Sequence, residues 1–177
     1  MIKLSRAKRP PYLSEGKSDE LTAEFQANGR SVWNCPEIKA PLITSSNKKC
    51  AYCECSISDE SKYMEVEHFR YKGGYKHLVV NWENLLPSCK RCNMAKGRHD
   101  IEEVPIINPY DDDPRDHLSF RLYQFRGATK IGLSTIEVLD LNNTSRLVVP
   151  RFEIGDAIEC TIKITVERMT AFLEGKT

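Results

Sequence analysis

Two cysteine pairs of identical spacing, Cys50-x2-Cys53 and Cys89-x2-Cys92, lie close together in one chain. Two thiolates on such a tight knuckle sit about 3.5 to 4 Å apart, the separation that tetrahedral Zn–S bonds of about 2.3 Å require, so each pair can bite one ion. Four thiolates close the coordination sphere, which leaves no open position for water or substrate, and the expected role of Zn2+ here is structural. The alternative is ordinary buried thiols, and Cys55 competes with Cys53 as a ligand. Cys35 and Cys160 have no partner at metal spacing and are read as buried small apolar residues. The odd total of seven cysteines argues against a disulfide framework and for a reducing, cytoplasmic setting.

The rest of the chain limits what such a staple can organise. At 177 residues it suits one domain with an appended helical piece. No apolar stretch approaches the roughly 18 residues of a membrane span, and the start, MIKLSRAKRPPYL, lacks the apolar segment of a signal peptide. With 26 Lys plus Arg against 25 Asp plus Glu there is no overall field for polyanions, so any nucleic-acid surface is local.

Pro10-Pro11 favours an extended N-terminal arm. A helix is expected over 18–29 with Ser18 as its cap, then a loop to Lys49. YMEVEHF reads as strand, Gly73-Gly74 as a turn, LVV and NLL as short strand pieces, and 88–97 as a helix. After an irregular Pro- and Asp-rich connection, FRLYQF reads as a strand, and two helices follow from Ser134. The second carries Leu147, Ile154, Ile158, Ile162, Val166, Met169 and Leu173 at helical spacing, with Pro150 kinking or delaying it. The expected organisation is an arm and short helix over 1–47, a functional core over 48–100, and a loop, strand and helices over 101–177.

Between the cysteine pairs lie Glu67-His68 and Asn84, and Asn93 follows Cys92 directly. Hydrolysis of a phosphodiester needs a base to deprotonate the attacking water and a cation to stabilise charge on the phosphate. Imidazole titrates near neutral pH, which suits His68 to the base. Glu67 and the Asn93 amide are hard oxygen donors of the kind Mg2+ or Mn2+ prefers. Adjacent strand residues point to opposite faces, so Glu67 and His68 share one site only if the strand ends or bulges there.

The segments EVEHF, NWENLLPSCKRCN and CNMAKG resemble the HNH endonuclease family. The resemblance covers roughly 48–97 and implies an α+β fold with a small zinc-stapled ββα-metal core, flanking helices and a helical C-terminal part. It places His68 as the general base, Asn84 as the residue fixing the loop that orients it, and Asn93 at the last motif position, where many members have His. Glu67 stands where Asp is common. Looser outer matches, the opening MIKLSRAKRPPYL, the segment NPYDDDPRDHLSF and the stretch STIEVLDLNN, together resemble the PtuB-type effector nucleases of Septu antiphage defence systems, some encoded beside retrons. This implies an endonuclease gated by a PtuA-like ATPase, with a retron reverse transcriptase and its DNA–RNA product as a further partner. DNA is favoured as the substrate and RNA, such as tRNA, is the alternative.

Arg70, Lys72, Lys90, Arg91 and Lys96 supply a local positive bias that suits contact with a nucleic-acid backbone. Glu54, Asp59, Glu60 and Glu65 partly cancel it, so a solvated charged face competes with that reading. The arm and the long C-terminal helix have no task in the chemistry and are the expected docking surfaces. Each site residue also has a plainer role open to it: His68 as a core histidine, Asn84 as a turn former, Asn93 on a helix surface. A zinc-stapled binding module without catalysis is the alternative from a different class.

Overall fold

In a computed structural model, described over residues 1–59 and 63–175, short strands and helices alternate along the chain. Of the acids named above, Glu60 lies outside the described residues. α1 (Glu15–Asn28) is capped by the Ser14 hydroxyl accepting from the Lys17 N–H, and stops at Gly29, whose φ of 71° suits glycine. Ser18, the expected cap, instead lies in the first turn and accepts from Arg9.

The expected loop to Lys49 contains a further helix, α2 (Pro36–Ser45). Pro41 inside it hid the pattern, yet Ile38 and Leu42, four residues apart, are both fully buried and offset the backbone bond that proline removes. Met1, Leu4, Pro10 and Leu13 are also buried, and Arg6 donates to the carbonyls of Trp82, Glu83 and Leu85 while stacking over Tyr110. The arm is thus packed on the fold through these residues, while Lys3, Lys8 and Arg9 remain exposed.

β1 (Met64–His68) pairs antiparallel with β2 (Leu85–Cys89), Met64 facing Cys89 and His68 facing Leu85, and α3 (Lys90–Lys96) follows at once. The expected LVV strand is absent: Leu78 closes a 3-10 turn, Val79 and Val80 are buried in the loop between the strands, and β2 starts only at Leu85. After α4 (Pro114–His117), FRLYQF is not one strand but the tip of a hairpin, β3 (Leu118–Arg121) and β4 (Gln124–Gly127). Its turn residues Leu122 and Tyr123 have φ of 49° and 63°, the left-handed pair that a two-residue hairpin needs, without the Asn-Gly that would announce it. α5 (Lys130–Val138) begins at its Thr129 cap, close enough to His117 that a side chain at Gly132 would strike the His117 carbonyl.

A π-helical turn, Thr144–Val148, leads into α6 (Val149–Leu173), where Pro150 sits in the first turn and delays the α-helix without kinking it. One buried cluster runs from Met1 to Leu147 and draws on all parts of the chain before α6. α6 buries none of its residues, and Ile154, Ile158, Ile162, Val166, Met169 and Leu173 are exposed. Cys160, expected to be buried, is exposed there too. Among the described residues no helix is long and apolar enough to cross a membrane.

The contrast between α2 and α6 is measurable. Leu42→Ala should lower the unfolding free energy by roughly 2–5 kcal/mol in chemical denaturation, whereas Ile158→Ala should change it by less than about 0.5 kcal/mol.

Candidate functional site

The sulfur cluster is built by two knuckles. Residues 50–55 close on themselves through the Cys50 N–H to the Cys55 carbonyl, and the Ala51 N–H donates to the Pro87 carbonyl, tying this knuckle to β2. The second pair spans the β2–α3 junction, where the Cys89 sulfur caps α3 by accepting from the Cys92 N–H. The sulfurs of Cys50, Cys53, Cys89 and Cys92 all lie within 4.8 Å of one another. Cys53 and Cys89 are 3.8 Å apart, the spacing of two ligands at about 2.3 Å on a tetrahedral ion. The donor set fits Zn2+. Cys55 reaches to 3.4 Å from Cys53 but stands outside the group of four.

Beside this cluster, β1 ends at His68, and the end of the strand lets neighbouring residues serve one opening. Glu67, His68 and Asn93 line a single cleft of about 310 Å³ with Tyr71, Lys72 and Arg98. His68 is buried, edge-on to Trp33 with ring centroids 4.6 Å apart. Its Nε2 is 2.9 Å from the Val79 carbonyl, which can only accept, so Nε2 carries the proton and Nδ1 the lone pair of the neutral ring. Burial, with Lys72 and Lys96 adding to it against the Val79 bond, lowers the imidazole pKa to about 4 and keeps the ring neutral at pH 7.

Asn84 is buried and fully engaged. It accepts from the Arg70 N–H at 2.7 Å and donates to the carbonyls of Arg70 and Leu78, so it ties together both ends of the loop behind His68. Asn93 donates its amide to Glu65 Oε2 at 2.6 Å, which fixes the amide's orientation and leaves Oδ1 as its acceptor. Glu67 Oε1 lies 2.7 Å from the buried Lys96 ammonium, and burial raises the carboxyl pKa while Lys96 opposes the rise. Lys96 also donates to the His68 carbonyl at 2.9 Å. A buried carboxylate and an amide carbonyl are hard oxygen donors of the kind a divalent cation takes, with one carboxylate oxygen already facing the Lys96 ammonium.

The predicted phosphate contacts separate. Lys72 lines the cleft and reaches over Trp33, whereas Lys96 is buried against Glu67 and Arg70 is paired with Glu102 at 2.7 Å. Lys90 and Arg91 line a second opening, across α3, with Arg146. Glu65, Lys96 and Arg146 are the residues that sequence reasoning missed in these roles. The same-face spacing of Glu65 and Glu67 was the one available signal, since both meet α3, at Asn93 and Lys96.

A cysteine-stapled ββα unit with an adjacent polar cleft is the class of protein that this fold defines. No family model matches the chain. It is 50% identical over 174 residues to Septu protein PtuB of Bacillus thuringiensis, across 98% of this chain and 66% of that protein. To Septu protein PtuB of Bacillus mycoides it is 30% identical over 204 residues, across 90% of this chain and 68% of that protein. The chain belongs to the PtuB family and spans about two thirds of the length of these relatives. Protein ea31 of Escherichia phage lambda is 35% identical over 74 residues, 40% of this chain and 24% of that protein.

Purified chain should carry one zinc per molecule by elemental analysis. Removing it with a strong chelator, or making Cys89→Ser, should cost most of the cooperative thermal transition followed by circular dichroism.

Proposed function

We propose that this chain is a metal-dependent HNH endonuclease that hydrolyses phosphodiester bonds in nucleic acid, DNA before RNA, as the effector of a Septu antiphage defence complex. The observation that carries the reading is the convergence of Glu67, His68 and Asn93 on one cleft, beside a sulfur cluster that fixes α3 against β1 and β2. The names of the two Bacillus relatives support the defence setting.

On this reading Glu67 and Asn93 Oδ1 would hold Mg2+ or Mn2+, which when bound supplies charge stabilisation at the phosphate. The His68 Nδ1 lone pair takes a proton from water as the water oxygen attacks phosphorus, and the bond to the departing sugar oxygen breaks, that oxygen being protonated from solvent. Asn84 holds the loop that carries Val79 and so the tautomer of His68. Lys72 and Arg98 place positive charge where a phosphate would enter.

A PtuA-like ATPase is the partner we assign, with α6 as its docking element. Where retron genes are adjacent, a reverse transcriptase and its DNA–RNA product would join it. Gating is physically reasonable, because the site acts on a phosphate and reads no base. A second reading, a zinc-stapled binding module, is favoured by the Glu67–Lys96 ion pair, which occupies one oxygen of the proposed cation ligand.

Plasmid DNA and total tRNA, each with Mg2+ or Mn2+, with and without the ATPase, separate these readings. Cleavage should fall at least about 100-fold in His68→Ala and strongly in Asn93→Ala, with zinc content unchanged. Cleavage at the wild-type rate in His68→Ala removes the base assignment. Inactivity of the wild-type chain with both substrates under all conditions supports the binding module.

A further inference from the structure

Four thiolates around one divalent ion leave two surplus negative charges, and a buried charge of that size needs compensation. Within the ββα unit the sulfurs receive only modest donors, the Cys92 N–H to Cys89 and the Ser88 hydroxyl beside Cys50. Full positive charge arrives from far along the chain. Arg146, in the π-helical turn before α6, has a side chain only 14% exposed and directs Nη1 to the Cys92 sulfur at 3.8 Å. Its Nη2 donates to the carbonyls of Leu139 and Asp140, just past the end of α5, so the guanidinium spans two elements and is not free to swing away.

Arg151, in the first turn of α6, supplies an independent observation. Its Nη1 is held by the Leu141 carbonyl, its guanidinium lies 4.8 Å from the centre of the Phe125 ring, and its Nη2 is buried with no hydrogen-bond partner. A buried guanidinium nitrogen without an acceptor is costly unless an anion faces it.

We infer that Arg146 is a cationic cap on the zinc–thiolate cluster at Cys92, with the buried Arg151 guanidinium as a second positive charge at the base of α6, lowering the reactivity of the sulfurs and fastening that end of α6 to the metal centre. The inference rests on the four cysteines holding a divalent ion, and not on catalysis. A hydrogen bond and a positive charge draw electron density from a thiolate, so a capped sulfur is a poorer nucleophile, and they offset the surplus negative charge of the four-thiolate centre, which slows the loss of its metal.

The test uses the full zinc-loaded chain. Zinc transfer to the dye 4-(2-pyridylazo)resorcinol should be on the order of tenfold faster in Arg146→Ala, with Arg146→Lys in between. Arg151→Ala should also be faster. In the Co2+-substituted protein the sulfur-to-metal charge-transfer band should shift in Arg146→Ala. Under iodoacetamide, the exposed Cys160 being labelled in every variant, mass spectrometry should find Cys92 the first of the four cluster cysteines to be labelled in that variant, while Cys50, Cys53 and Cys89 stay protected. Uniform labelling of all four would mean loosening alone and would overturn the cap, as would release rates and a Co2+ band equal to wild type. If Arg146→Ala does not fold, Arg146→Lys and Arg151→Lys decide the matter, an unchanged rate and band in both overturning the cap. A wild-type chain that carries no metal would sink the zinc reading itself, a different outcome from metal held equally well without either arginine.

Discussion

The rest of the structure depends on the contact of sulfur with sulfur. Cys50 and Cys53 belong to a knuckle before β1, while Cys89 and Cys92 straddle the junction of β2 and α3. Neither strand exceeds five residues, and two strands alone make a marginal sheet. Bringing four sulfurs within 4.8 Å fixes α3 at the end of that hairpin, and a metal ion there turns a weak local preference into a fixed geometry. Everything in the cleft inherits its placement from this, because Asn93 and Lys96 sit on α3 and face Glu65 and Glu67 on β1.

The cleft is polar, and its base is buried. Glu67, His68, Asn84 and Lys96 are all buried, and their mutual contacts meet most of the cost of burying them. Val79 and Asn84 position His68 from one side while Trp33, from the segment between α1 and α2, closes the other. The N-terminal helices therefore serve the same site as the ββα unit, and Arg6 ties the N-terminal arm to the turn that presents Asn84.

Much of this was legible in the sequence where one local rule decided the outcome. The spacing of the cysteines announced the cluster, and YMEVEHF announced a strand, which the fold ends at His68. Where two rules competed, the sequence misled. Pro41 argues against a helix that Ile38 and Leu42 nevertheless bury, and Leu122-Tyr123 adopts a turn conformation normally left to Asn and Gly. The apolar stripe of α6 reported a helix correctly, but periodicity says that a face is suited to being covered and not what covers it, and here Ile154 through Leu173 remain exposed. Lys96 was the hardest to read, since a lysine near a helix end looks like a solvated cap until the fold points it at a buried carboxylate.

The Glu67–Lys96 pair sets the character of any cation bound in the cleft. One carboxylate oxygen already faces an ammonium, and Glu65 is engaged by Asn93, so the net negative charge left for a divalent ion is small. A donor set of one half-compensated carboxylate and one amide oxygen holds such an ion weakly and leaves most of its coordination sphere to water. A phosphate entering past Lys72 and Arg98 brings the missing negative charge and oxygen ligands, so cation and nucleic acid would each strengthen the other's binding. On the proposed reading, the completed site then forms only when substrate is present, a consequence of placing a lysine where a second acid would have given a tighter metal site.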